Sequence, residues 1–312
     1  MNARKLGFEV ADLVTIGFGL IVAGIALAFR AQLQDPQVFA RYLLVAFGYA
    51  GILRMLARID TRPMVMGWVR AVSISTAIPY MFLQLGDVLP YVSTRTFEAE
   101  LVAIDTAIFG VEPIAWMEGL LNPVLVDLAQ GAYALYYPLF LVGLTLLFRK
   151  RMREFYSYLA GTSLTQCMTY LGYFLVPAVS PYRAAEMPEF HGLFHFTREV
   201  QGIWIQPWLG PAIHQAESCP WDCFPSGHTA GTVMVSLAMW KWNRKVFWVI
   251  LPFQAMLIFA TVYLRYHYVI DVLVGIPLGV LALRLGIALN ERMQGKDDAV
   301  ARGTTPQQAT QA

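Results

Sequence analysis

The fold is decided by long apolar blocks such as residues 246–264, which read VFWVILPFQAMLIFATVYL and contain no charged side chain. The block that follows, residues 266–290, reads YHYVIDVLVGIPLGVLALRLGIALN and is nearly as apolar. Each block is close to the ~20 residues that a helix needs to cross the hydrocarbon core of a bilayer. Backbone polar groups in lipid must bond within the segment, so we expect both blocks to be membrane-spanning helices.

Six similar blocks precede these two, and the 312-residue chain is 57% hydrophobic but only 14% charged. A soluble domain would carry about a quarter charged residues. The sequence therefore predicts an all-α fold, a polytopic membrane helical bundle with about eight spanning helices. The expected helices are residues 8–29, 40–57, 64–87, 122–148, 154–176, 225–241, 246–264 and 266–290.

The first block has a second interpretation, because Ala26-Leu27-Ala28 resembles the cleavage site of a signal peptide. Glu9 and Asp12 stand where such a leader would be basic. We therefore favour a first spanning helix.

The positive charges predict the orientation. With eight spans, the basic clusters between helices and at both ends of the chain share one side, and all five lysines lie there. Cytoplasmic loops carry the excess of lysine and arginine, so we expect both termini in the cytoplasm. The extracytoplasmic side, periplasmic or lumenal, then receives residues 30–40, 88–121 and a long loop at 177–224. All five histidines lie in that loop or at the adjoining helix starts.

A short polar motif, Pro225-Ser226-Gly227-His228-Thr229, opens the sixth expected helix on that side. Ser226 is a suitable N-cap, and Gly227 lets a ligand approach the backbone closely. The start of a helix favours an anion, and a histidine there can donate a proton to a leaving oxygen. Taken alone, the motif also fits a capped helix start with an interfacial histidine.

A second motif places His267 and Asp271 four residues apart at the outer start of the eighth expected helix. One helical turn separates them, so their side chains share a face. A carboxylate that bonds one ring nitrogen fixes the tautomer and leaves the other nitrogen free to attack, and histidine can form a covalent intermediate. The alternative is a pair that only stabilises the helix end. Ionisable groups at membrane depth are costly, however, and are usually functional.

The topology brings the two motifs together. The sixth helix runs inward, the seventh returns and the eighth starts outside, so His228 and His267 reach the same membrane level. Such a pair fits phosphoryl transfer, because one histidine can attack phosphorus while the other protonates the leaving group. We therefore predict His228, His267 and Asp271 as catalytic residues, and we expect the reaction to need no metal and no cofactor.

Two arginines are candidate phosphate clamps. Arg183 follows the outer end of the fifth expected helix, and its planar guanidinium suits phosphate. Arg265 lies two residues before His267, but points away from it if position 265 is already helical. For Arg183, a contact with lipid headgroups is the alternative role.

The three cysteines are too few for a disulfide framework. Cys167 lies in an apolar block, where we expect an inert core residue. Cys219 and Cys223 are close together in the long loop, and they can form a disulfide if that loop is extracytoplasmic. A metal site is the weaker alternative, because no second ligand pair follows.

These motifs resemble the type 2 phosphatidic acid phosphatase superfamily over about residues 98–290. The family's second motif is Pro-Ser-Gly-His, matched by residues 225–228, and its third motif ends in His-x-x-x-Asp, matched by residues 267–271. The form His-Tyr-x-x-Asp, together with Asp-x-x-x-Phe-Gly-x-x-Pro at residues 105–113, is most similar to the branch of inositol phosphorylceramide synthase and sphingomyelin synthase.

The resemblance implies a phosphohistidine at His267, oriented by Asp271, with His228 acting first as acid and then as base. Substrate phosphate would be held by Ser226, Gly227, Arg183 and Arg265. The chain departs from the family pattern at Val176 and Thr261, where a lysine and an arginine are usual. The loss of phosphate clamps would weaken charge stabilisation in the transition state.

Three divisions of the chain follow from these expectations. Residues 1–97 form N-terminal transmembrane helices, residues 98–290 form the catalytic membrane domain, and residues 291–312 form a polar cytoplasmic tail that we expect to be disordered. The net charge of +2 and the lack of a basic run speak against nucleic acid as a partner.

The favoured function is a lipid headgroup phosphotransferase similar to inositol phosphorylceramide synthase. Its partners would be a lipid phosphate donor, a lipid or alcohol acceptor and the bilayer. The first alternative is a lipid phosphate phosphatase that uses water and takes phosphatidate or polyprenyl diphosphate. The second alternative is a transporter or scaffold without catalysis. A transporter should show broken helices near the midplane, whereas the polar residues here cluster at one face.

Overall fold

The computed structural model describes residues 7–58, 62–148, 151–190, 192–216 and 219–301. Within these ranges the protein consists of α-helices and short 3-10 turns without a β-strand, which confirms the predicted all-α class. The helices are α1 (Val10–Ala28), α2 (Val38–Arg58), α3 (Pro63–Leu83), α4 (Leu89–Val92), α5 (Glu98–Phe109), α6 (Pro113–Met117), α7 (Pro123–Ala134), α8 (Tyr136–Leu147), α9 (Met152–Leu175), α10 (Pro181–Ala184), α11 (Gln206–Ala216), α12 (Gly227–Trp242), α13 (Arg244–Tyr263) and α14 (Val269–Ala301).

Four of the described helices are long and apolar enough to cross a membrane, namely α1, α2, α13 and the Val269–Gly295 part of α14. The pair α7 and α8, bent by 42°, makes a fifth if the two helices count as one span. The protein is therefore an integral membrane helical bundle, as predicted.

The other three expected spans, α3, α9 and α12, are also helices, but they do not meet the same measure of length and hydropathy. Helix α9 has a low hydropathy because it carries several polar side chains. These include Ser163, Thr165, Gln166 and Thr169, all of which are buried. Polar groups in a membrane helix face the interior of the bundle, where other helices rather than lipid surround them.

A buried ion pair joins the N-terminal helices. Arg70 of α3 donates to the carboxylate of Asp12 in α1 at 2.8 Å, and the hydroxyl of Tyr49 in α2 donates to the same carboxylate. Both charged side chains are almost fully buried. Removing either partner would leave an uncompensated charge, so this pair fixes how α1, α2 and α3 pack together.

Helix α14 lies very close to α12 and α9 because it presents glycines at the contacts. A Cβ atom on Gly279 would come within 2.2 Å of the carbonyl oxygen of Ala230 in α12. A Cβ atom on Gly286 would come within 2.6 Å of the backbone nitrogen of Gly161 in α9. Small residues let helix backbones approach closely in a membrane. Helix α14 therefore packs directly against the backbones of α12 and α9.

The segments between the spanning helices also contain short helices. The expected segment at 98–120 contains α5 and α6, and the long loop at 177–224 contains α10 and α11.

Helix α14 continues to Ala301, so the expected disorder is wrong for residues 291–301. Adding residues to an existing helix costs little compared with starting one, which explains the extension. Residues 302–312 lie outside the described residues.

Candidate active site

His228 lies in the first turn of α12. The hydroxyl of Ser226 accepts the backbone N–H of Thr229 at 3.2 Å, which confirms Ser226 as the N-cap. The first N–H groups of a helix have no partner within the helix, so those of Gly227 and His228 are available to an anion. Both residues line a cavity, described below.

His267 lies just before α14 rather than within it, because the helix starts at Val269. Its Nδ1 atom is 3.2 Å from Oδ2 of Asp271, so the pair predicted from the spacing is formed. A carboxylate only accepts hydrogen bonds, so this contact places the proton on Nδ1 and leaves Nε2 as the nucleophilic nitrogen.

The carboxylate of Asp271 is fully buried and is held by two further donors. The backbone N–H of Tyr268 and the thiol of Cys223 both donate to Oδ2, each at 3.0 Å. Burial and the nearby Asp271 raise the pKa of the Cys223 thiol, so it stays protonated and acts as a donor. The other oxygen, Oδ1, has no hydrogen-bond partner within the described part of the chain.

The rings of His228 and His267 lie close together. The centres of their rings are 5.9 Å apart, a separation that a single phosphate group can bridge. The backbone N–H of Ser226 also donates to the carbonyl of Asp271 at 3.2 Å, which ties the start of α12 to the first turn of α14. The juxtaposition predicted from the topology is thus present, together with a direct link between the two motifs.

Two tyrosines from the segment α7–α8 surround His228. The ring of Tyr133 stacks on the imidazole with 4.3 Å between ring centres, and its hydroxyl lies 3.2 Å from Nδ1. The ring of Tyr136 is also 4.3 Å from His228, and its hydroxyl donates to the carbonyl of Gly227 at 3.1 Å. The sequence does not distinguish these two tyrosines, because their spacing of three residues in an apolar block is equally typical of aromatics that face lipid.

A cavity of about 240 Å³ opens onto both histidines. Its wall contains no lysine and no arginine among the residues that the structure describes. Leu209 and Ile213 of α11 also line it, so part of the long outer loop covers the site. The cavity is rich in phenol groups, contributed by Tyr133, Tyr136, Tyr137, Tyr170, Tyr173 and Tyr266.

The structure does not bring Arg265 to this cavity. The residue has a φ of 64°, so it lies in a left-handed turn between α13 and α14 rather than in a helix. Its guanidinium is 3.3 Å from the carboxylate of Glu118, donates to the carbonyl of Arg198 at 2.8 Å and stacks over Phe196. These contacts join Arg265 to Glu118 and to the long outer loop, and Arg265 does not line the cavity.

Arg183 also lies outside the cavity wall. Its guanidinium donates to the carbonyl of His214 at 3.0 Å and reaches the carbonyl of Cys219 at 3.5 Å. The positive charge lowers the pKa of His214, although burial is the larger cause. In this arrangement Arg183 supports α11 and the segment that leads into the Pro-Ser-Gly-His motif.

The cysteines are all buried and free in the structure. Cys167 is a core residue, as expected, and no disulfide joins Cys219 to Cys223. The donor atoms of Cys223, His267 and Asp271 lie within 4.8 Å of one another, a spacing that could hold a metal ion. The hydrogen bonds among these three side chains also fit a network that orients His267.

Comparison with known proteins identifies the family. The model of the PAP2 superfamily matches residues 99–285, which is more than half of the chain, so the protein belongs to this superfamily. Undecaprenyl-diphosphatase BcrC from Bacillus subtilis (strain 168) is 30% identical over 98 residues, 31% of this chain and 51% of that protein. The similar region thus spans about half the length of that relative. No solved structure matches the chain.

The catalytic histidines predicted from the motifs lie within the matched region.

Proposed function

We propose that the protein breaks a lipid phosphoester bond through a phosphohistidine on His267. Nε2 of His267 attacks phosphorus, the bond from phosphorus to the lipid oxygen breaks, and His228 gives a proton to that oxygen. An acceptor hydroxyl then loses its proton to His228 and attacks phosphorus, which releases His267. The observation that carries the proposal is the 5.9 Å separation of the two rings, one of them oriented by Asp271.

Asp271 stabilises the positive charge that His267 gains when it bonds to phosphorus. The first turn of α12 offers N–H groups to the phosphate oxygens at the same place. These groups are preorganised, so they do not have to rearrange as charge develops in the transition state. None of these steps uses a metal ion, which is the basis for proposing a metal-independent reaction.

We propose headgroup transfer to an alcohol as the favoured reaction. A phosphodiester carries one negative charge, whereas a phosphomonoester carries up to about two at neutral pH. Among the described residues the cavity wall has phenols and the carboxylate of Asp222 but no lysine or arginine, which suits the smaller charge, because a buried charge without a partner is costly. The cover formed by α11 also supports transfer, since water competes with an alcohol acceptor. An enzyme similar to inositol phosphorylceramide synthase would have these properties.

Hydrolysis is the second candidate, and the similarity to an undecaprenyl-diphosphatase favours it. In that case water replaces the alcohol, and the substrate is a phosphatidate or a polyprenyl diphosphate. The same histidines serve both reactions.

The experiment that separates the candidates uses purified protein and a panel of labelled phospholipids, with and without ceramide or diacylglycerol. A new labelled phospholipid indicates transfer, and free phosphate indicates hydrolysis. A labelled protein intermediate that is lost in His267→Ala supports the shared mechanism. Normal turnover by His267→Ala would refute the phosphohistidine mechanism.

We also propose that the site faces the extracytoplasmic side and that both termini are cytoplasmic. The support is that all five lysines and the basic clusters between helices lie on the side opposite the two histidine motifs in an eight-span topology.

A further inference from the structure

The first turn of α14 is capped by a residue from a distant helix. Tyr268 occupies the position before the helix, and its hydroxyl donates to the carbonyl of Val179 at 3.1 Å instead of reaching the helix start. Asp105 of α5 accepts the backbone N–H groups of Val269 and Ile270, each at 2.7 Å. A carboxylate is well suited to this role, because it satisfies free donors and complements the helix dipole.

Every backbone N–H between His267 and Asp271 donates to a carboxylate, either that of Asp271 or that of Asp105. The N–H of Tyr268 ends on Asp271, and the next two end on Asp105. The N–H of His267 donates to the carbonyl of Thr261 at 2.9 Å. The backbone turn that sets the distance from His267 to Asp271 is therefore bonded at each residue.

Asp105 is itself firmly placed. Its side chain is only 1% exposed. At the start of the same helix, Glu98 accepts the backbone N–H of Val179 at 2.6 Å, which joins α5 to the residues after α9. Burial raises the pKa of Asp105 to about 6, and the bonds from Val269 and Ile270 oppose that rise because they stabilise the charged form.

We propose that Asp105 is a positioning residue for the nucleophile: it holds the turn at 268–270 so that His267 keeps its bond to Asp271 and presents Nε2 to the cavity. The inference rests on the proposed role of His267. It adds a function for the Asp-x-x-x-Phe-Gly-x-x-Pro stretch, which the two histidine motifs leave unexplained.

Another buried carboxylate provides a contrast. Asp127 of α7 accepts four backbone N–H groups from residues 203–206 at 2.8–2.9 Å. These bonds hold the entry to α11, which covers the cavity, and they do not touch the turn beside His267. A defect at Asp127 should therefore alter substrate binding, whereas a defect at Asp105 should slow the chemical step.

The test is the rate at which His267 becomes phosphorylated in a single turnover at saturating labelled lipid. Asp105→Asn keeps the shape of the side chain but turns an N–H₂ group toward a backbone N–H. We expect a roughly 10- to 100-fold slower phosphorylation, typical of a misplaced reacting group, with KM nearly unchanged. Glu100→Gln is the matched control, because Glu100 lies on the exposed face of the same helix. It should behave like the parent protein, and Asp127→Asn should change KM instead.

A normal phosphorylation rate in Asp105→Asn, or a change in KM alone, would overturn the inference. If that variant does not fold in detergent, Val269→Pro gives the second measurement. Proline is tolerated at the first position of a helix and removes one donor while Asp105 stays intact. A several-fold slower phosphorylation is expected there, and an unchanged rate would also overturn the inference. Absence of phosphohistidine in the parent protein would instead refute the proposed function itself.

Discussion

Replacing Asp271 with asparagine separates the charge of this residue from its hydrogen bonds. All three donors, from His267, Tyr268 and Cys223, converge on Oδ2, while Oδ1 has no partner within the described residues. An asparagine can therefore place its oxygen at the position of Oδ2 and its amide nitrogen at the position of Oδ1. We expect the tautomer of His267 to survive, so that mainly the negative charge is lost.

The size of the effect follows from the distance between the two groups. At 3.2 Å and an effective dielectric constant of about 20, the attraction between a carboxylate and a charged imidazole has an upper bound of about 5 kcal/mol. The neutral amide retains a hydrogen bond of about 1 kcal/mol. A net loss of about 2–4 kcal/mol in the transition state corresponds to a roughly 30- to 1,000-fold lower kcat.

The assay is turnover of the labelled lipid identified in the panel, with Asp271→Asn, Asp271→Ala and the parent protein purified in the same detergent. Asp271→Ala should be less active than Asp271→Asn, because it leaves three donors without an acceptor. Asp35→Asn is the control for loss of an exposed carboxylate. A kcat for Asp271→Asn within threefold of the parent would refute the electrostatic role. Equal inactivity of the two Asp271 variants would contradict the retained tautomer.

Four further outcomes are expected. His267→Ala should abolish turnover and His228→Ala should reduce it at least about 100-fold, as for loss of a general acid, whereas normal activity of either would contradict its role. A chelator such as EDTA should leave the rate unchanged, and strong inhibition would point to a required metal. Gly279→Leu should lower the unfolding temperature and the yield of folded protein, because the side chain would meet the carbonyl of Ala230; an unchanged melting curve would argue against that contact. A reporter fused to the C-terminus should be detected in the cytoplasm, and an external signal would overturn the proposed orientation.

The sequence was a reliable guide to the helices and to the contact between His267 and Asp271. Apolar blocks of a length set by the bilayer predicted all eight helical segments, since a backbone in lipid has little choice but to form a helix. A spacing of four residues predicted the contact between His267 and Asp271, although His267 lies just before α14 and Asp105 accepts the N–H groups of the turn between them. The closeness of the two histidines followed from counting spans.

The sequence was a poor guide to the residues around that pair. Arg265 was a candidate phosphate clamp because it lies near His267 in the chain, yet a left-handed turn directs it to Glu118. Cys223 and Tyr133 were not recognised as neighbours of the histidines, although both contact them.

The sequence by itself determined the class of fold and the pairing of His267 with Asp271, because these depend on hydropathy and on a separation of only four residues. Only the tertiary structure decided which groups surround that pair. Asp105 is more than 160 positions away from the N–H groups it accepts, and the glycines of α14 set the distance to α12. Such contacts depend on how whole helices pack, which no local pattern of residues encodes.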